Sequence, residues 1–135
     1  MTPAEITASM LRTDAFTRLL GLNVEASDRG FCRLTFRVTP DMLNGFGVVH
    51  GGVLFSAADS AFAFACNSNG MVTLALEASI HFTQSCREGD VLTVEAQEVH
   101  AGNRIGVFDV RTRNQAGELV SLFKGTAYKT SNPHV

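Results

Sequence analysis

Tryptophan is absent from this chain and tyrosine occurs once, against ten phenylalanines. Aromatic rings that end in an N–H or O–H are therefore scarce, which favours dry packing over wet recognition surfaces. Cysteine is scarce too: Cys32, Cys66 and Cys86 are odd in number, far apart and never in CxxC spacing. This excludes a disulfide framework, gives no zinc motif and suits a reducing cytoplasm. Neither sign of charge dominates, with 11 Lys and Arg against 13 Asp and Glu for a formal net charge of -2. A nucleic-acid surface thus lacks its electrostatic basis. Glu5 precedes any apolar stretch, so no secretory leader is expected, and the longest apolar run is too short to span a bilayer.

At 135 residues and 45% hydrophobic content the chain is read as one domain, 1–135, able to bury a core without disulfides or metal. Its centre is the stretch 44–68, NGFGVVHGGVLFSAADSAFAFACNS. From Gly51 to about Asn67 this stretch has no proline and a single charge, Asp59, and predicts a helix apolar all round and hence interior. At about 100° per residue, Gly52, Phe55, Ser56, Phe62, Ala63 and Cys66 share the side of Asp59, while Phe64 points to the core. An ionised carboxylate among them is costly unless paired or hydrogen-bonded, which marks Asp59 as functional, the structural alternative being a cap or a satisfied core polar group.

Upstream, Thr2-Pro3-Ala4-Glu5 reads as a capped helix start, and Asp14 recaps a second turn before Gly21. Residues 22–38 alternate like extended chain around Asp28-Arg29-Gly30, as a hairpin or one bent strand. Asn44, Gly45 and Gly47 make 39–50 a loop whose backbone can approach a ligand closely. Beyond the helix come strand-like runs at 71–85, 90–100, 104–113 and 118–129, separated by well-marked turns. LVSLF at 119–123 is apolar in both registers, which predicts cover on both sides, another subunit being one source. Thr130 to Val135 is polar and reads as a frayed tail. Sequential antiparallel strands around one long helix make an α+β architecture.

Several chemistries are excluded. No G-x-S-x-G surrounds Ser56 or Ser60, and the histidines at 50, 81, 100 and 134 have no metal spacing. HGG at 50–52 is not a dinucleotide fingerprint. Gly51 and Gly52 either permit a tight bend or leave helix-start amides open to a developing oxyanion. Asn44, His50, Gly51 and Asp59 together favour the second reading. Asp59 lies eight positions past Gly51, about 12 Å along one helix, too far for both to grip one carbonyl. Joint action requires Asp59 from a second, antiparallel subunit, so a dimer with sites on its seam is predicted.

The central stretch, SIHF at 79–82 and GNRIGVFDV at 102–110 resemble the hotdog-fold thioesterases of the phenylacetate-degradation (PaaI) type over about 14–129. The resemblance implies a curved antiparallel sheet wrapped around a long central helix, dimers with a continuous sheet, and usually homotetramers. It implies hydrolysis of acyl-coenzyme A thioesters, commonly aryl-acetyl ones, with coenzyme A as part of the substrate and no separate cofactor. By motif position Asp59 is the catalytic carboxylate, as nucleophile or general base. Gly51 is the backbone oxyanion donor, and Asn44 and His50 orient water and thioester. Asn103, Arg104 and Lys129 become candidates for the coenzyme A tail. Phe46, Phe55 and Phe62 are the candidates for an apolar acyl pocket, each serving equally well as core, and Gly52 is a further candidate for substrate contact. Some relatives carry Ser or Thr where Ala75 and Leu76 stand here, leaving Thr73 or Asn67 as substitutes. The alternatives are a hotdog hydratase or dehydratase using His50 and Asp59, and a non-catalytic acyl-coenzyme A binder.

Overall fold

The computed structural model describes residues 1–135. The first helix, α1 (Pro3–Leu11), starts with the reciprocal cap that its sequence predicts: Thr2 Oγ1 accepts from the Glu5 amide, and Glu5 Oε1 accepts from the Thr2 amide. Asp14 caps the short α2 (Ala15–Leu19). Of the two readings of residues 22–38 the hairpin is the one found, β1 (Asn23–Asp28) pairing antiparallel with β2 (Phe31–Arg37). A 3-10 turn, Pro40–Met42, and a loop lead into α3 (Gly51–Asn67). The remaining strands are β3 (Met71–Phe82), β4 (Val91–Ala101), β5 (Ile105–Arg113) and β6 (Leu119–Pro133).

All six strands form one antiparallel sheet in the order β1-β2-β4-β5-β6-β3. The chain passes from β2 to the far edge, β3, by way of α3, so the helix crosses the sheet and packs on every strand. This is the expected α+β hotdog architecture. In β4 Leu92, Val94 and Ala96 are fully buried while Thr93 and Glu95 are half-exposed, the alternation expected of a sheet with one wet face. The helix sits so close to the sheet that a methyl on Gly125 would come within 2.7 Å of the Phe62 ring.

Two expectations change. Val120, Ser121 and Phe123 are fully buried within a single chain, because β6 lies inside the sheet between β5 and β3 and its register slips beside Thr112. No second subunit is needed to cover these three, while Leu119 and Leu122 of the same segment stay half-buried in the single chain. The polar tail is not frayed either: β6 runs on to Pro133, paired with Met71, and the His134 amide donates to Gly70 O at 2.9 Å. His134 Nε2 lies 2.8 Å from Asn67 Oδ1. Backbone pairing with the long β3 holds this segment whatever its side-chain polarity.

Candidate active site

His50 closes the start of α3. Its Nδ1 accepts from the Gly52 amide at 2.8 Å, which places the proton of the neutral ring on Nε2. The Val53 amide is taken by His50 O at 2.9 Å, whereas the Gly51 amide, the first of the helix, has no acceptor in the chain. An open N–H thus coincides with the positive end of the helix dipole, which suits an oxygen gaining negative charge. Asn44 stands in the preceding loop, its Oδ1 accepting from the amides of Phe46 at 2.9 Å and Val48 at 3.3 Å. Gly47 makes the turn between them at φ 76°. The Asn44 carboxamide oxygen is therefore committed to the loop, and only its N–H groups remain for a ligand. Asn44, Gly51 and Phe82 line one open cleft of about 380 Å³.

Asp59 is half-buried and makes no hydrogen bond or ion pair within the chain. Burial pushes its carboxyl above the ordinary carboxylate value, and the negative charge of Asp14 pushes the same way. The helix is not interior all round. Gly52, Phe55, Ser56, Asp59 and Ala63 stay open or half-open along one stripe, because the sheet covers only the opposite side. Phe55 is 37% exposed, edge-on to Phe123 with ring centroids 5.4 Å apart. Phe62 lies on the sheet side instead, 1% exposed between Phe108 and Phe123 at 5.5 and 5.7 Å. Burial first, then the charge of Asp59, pushes the Cys66 thiol up to about 12, which leaves it unreactive at neutral pH.

Thr73 and Asn67 sit at the other end of α3 and are fully engaged there. Asn67 Nδ2 donates to Ala63 O at 2.8 Å and Thr73 O at 3.1 Å, and its Oδ1 accepts from the Thr73 amide at 2.8 Å. Thr73 Oγ1 donates to Met71 O at 2.9 Å. These bonds finish the helix and launch β3. Next to them Arg104, Lys129 and Thr73 line a small pocket of about 80 Å³, together with Arg29 and Glu98, while Asn103 lies outside it in the exposed turn. Arg104 Nη1 donates to Lys129 O at 3.3 Å. Arg29 was not predicted. The Glu98 amide donates to Gly30 O at 2.8 Å and docks the β1–β2 turn against β4, a pairing across 68 positions that no local pattern announces.

The chain thus brings Asn44, His50 and Gly51 together at the start of α3, leaves Asp59 alone two turns on, and gathers the cations at the far end. No group of three or more His, Cys, Asp or Glu side chains is placed to hold a metal ion, and no helix is long and apolar enough to cross a membrane.

The model of the thioesterase superfamily matches residues 46–121. The acyl-coenzyme A thioesterase PaaI of Escherichia coli (strain K12) is 42% identical over 121 residues, 90% of this chain and 86% of that one. The chain belongs to the thioesterase superfamily. Among solved structures, the E. coli PaaI protein from the phenylacetic acid degradation operon matches with TM-score 0.95 and 39% identity over 97% of this chain and 95% of that one. A Streptococcus mutans UA159 protein solved bound to acetyl CoA matches with TM-score 0.81 and 27% identity over 84% and 91% of the respective chains. The enzyme expected from the motifs, a hydrolase of acyl-coenzyme A thioesters, agrees with membership of this superfamily.

Proposed function

We propose that this thioesterase cleaves aryl-acetyl-coenzyme A thioesters, such as phenylacetyl or hydroxyphenylacetyl, in sites shared by two antiparallel copies. The observation that carries the proposal is the separation within one helix of a partnerless acid, Asp59, from an open amide, Gly51. Neither has its complement in the same chain. A second copy running antiparallel supplies both. The β3 edge supports this assembly: it is 12 residues long, unpaired on its outer side, and leaves Leu74 56% and Leu76 59% exposed. Such an edge invites a strand from another molecule, and a second β3 would continue the sheet. A homotetramer of two such dimers would cover more of the open α3 stripe.

In this site the thioester oxygen accepts the Gly51 N–H of one copy, with the Asn44 amide and His50 Nε2–H beside it. Asp59 of the other copy attacks the carbonyl carbon or takes a proton from the attacking water. The C–S bond then breaks and the thiolate leaves, needing little acid help; where Asp59 is the nucleophile, water then hydrolyses the acyl anhydride, freeing the acid and restoring the carboxylate. Gly52 and Phe55 on the open stripe suit an aromatic acyl group, and Phe62 supports Phe123 from beneath. The cations Arg29, Arg104 and Lys129, with Asn103 at the rim, suit the phosphates of coenzyme A, which enters as substrate. A hydratase would require His50 as a base, yet Nδ1 is held by the Gly52 amide and Nε2 bears the proton. Three free thiols fit a reducing cytoplasm.

Subunit complementation tests the shared site. Asp59→Asn removes the acid, and Gly51→Pro removes the amide hydrogen at the helix position where proline is tolerated. Each variant alone should release almost no thiol from phenylacetyl-coenzyme A. Co-expressed in equal amounts, they should recover about a quarter of parental activity, since half the dimers are mixed and each carries one intact site. No recovery from mixed dimers of demonstrated composition would place both groups in one subunit and end the proposal.

A further inference from the structure

Next to Asp59 in sequence stands Ser60, which lies at the flank of the open stripe, about 40° round the helix from Ser56, and is buried. Its hydroxyl lies 2.8 Å from Thr17 Oγ1, itself buried in α2, and Thr17 Oγ1 lies 2.7 Å from Asp14 Oδ2. The other oxygen of Asp14 accepts the Thr17 amide at 3.0 Å. Thr17 has a single hydroxyl proton, and an ionised Asp14 can only accept. The order of donation is therefore fixed: Ser60 donates to Thr17, and Thr17 donates to Asp14. Three residues drawn from the N-terminal segment and the middle of α3 form one directed chain that ends on a carboxylate. A helix of five residues does not need such an anchor to be capped, since the Thr17 amide alone satisfies the cap.

We infer that Asp14, acting through Thr17 and Ser60, is a positioning residue for Asp59: it fixes the helical turn that carries the acid and sets the negative field in which the acid works. The inference rests on the thioesterase reading of Asp59. Asp14 is the charged group of the chain that acts on Asp59, and the Cys66 thiol further along α3 feels Asp59 in turn. In the proposed dimer His50 of the second copy faces Asp59 as well. The direction of the effect follows from the charges. A neighbouring anion disfavours ionisation, so Asp14 keeps Asp59 a stronger base than burial alone would.

Two substitutions separate the field from the tether. Asp14→Asn keeps the side-chain shape and the acceptor for the Thr17 amide, and its N–H can donate to Thr17 Oγ1, reversing the chain without breaking it; only the charge is lost. The acid limb of kcat against pH should move to lower pH while Tm hardly changes. Thr17→Val cuts the chain and leaves Asp14 charged, so kcat on the plateau should fall about threefold to tenfold, the scale of one lost buried hydrogen bond, with KM little changed. An acid limb in Asp14→Asn that superimposes on the parental one, in a folded protein, overturns the inference. An Asp59→Asn control run in parallel keeps the two readings apart: if it is inactive while the limb stays put, only Asp14 loses its role, and if it is active, the Asp59 assignment fails first.

Discussion

An Asp59→Asn protein should be more stable than its parent and nearly inactive. The substitution preserves side-chain shape and removes a half-buried carboxylate that has no hydrogen bond within its chain and a like charge, Asp14, acting on it. Because the fold raises the carboxyl above its unfolded value, the parent has its full stability from this group when it is protonated in both states. It loses that stability as pH climbs from the unfolded value through the folded one. The amide has nothing to lose. The variant should therefore gain about 0.5–1 kcal/mol at neutral pH, the low end of relief at functional sites, because a half-exposed group retains part of its hydration. For a chain of this size that corresponds to about 2–4 °C in Tm. Thermal unfolding of both proteins from pH 3 to pH 8 checks it: the curves should meet at the acid end and separate above the ordinary carboxylate range. At the same time kcat on phenylacetyl-coenzyme A should fall about 10²- to 10⁴-fold. A variant that is less stable than the parent at pH 8, or a gap that widens on acidification, would refute the claim that folding bears a cost for this acid.

Other perturbations report on separate parts of the molecule. Gly125→Ala drives a methyl into the Phe62 ring at 2.7 Å and should cost about 1–3 kcal/mol in urea unfolding. His50→Ala removes the cap on the Gly52 amide and should cost about 1 kcal/mol, besides lowering kcat. Leu74→Lys with Leu76→Lys places charge on the exposed β3 edge; sedimentation should then show monomers, and thiol release should disappear with the dimer. Arg29→Ala and Arg104→Ala should each raise KM for coenzyme A thioesters severalfold and leave short pantetheine thioesters unaffected, which steady-state kinetics on the two substrate series will reveal.

The architecture was legible where local chemistry speaks. The Thr2–Glu5 capping box, the Asp28-Arg29-Gly30 turn and the alternation of Leu92, Val94 and Ala96 each fix an element from nearest neighbours. The long helix was plain from composition, and its single charge pointed to Asp59. Contacts between distant segments were not legible. Periodicity alone put Phe62 on the side of Asp59, whereas the close approach of helix and sheet at Gly125 holds it in the core. The polar end of the chain gave no sign that β3 would extend to meet it. Arg29 reaches the pocket of Arg104 and Lys129 only because β1–β2 docks on β4, and Asp14 shares a hydrogen-bond chain with Ser60 only because α2 lies against α3. Thr73 and Asn67 looked available in the sequence; the structure shows both closing the helix end.

The main-chain nature of the proposed Gly51 donor has a consequence for how such a site can drift. A peptide hydrogen belongs to no side chain, so an alanine scan of this enzyme would pass over it. The pressure on position 51 comes from a spatial neighbour: a methyl there would meet the Phe82 ring at 3.1 Å, and the ring would have to yield slightly to admit it. Trimming that ring would relax the constraint, and residues other than glycine could then occupy the position while the reacting oxygen met the same hydrogen.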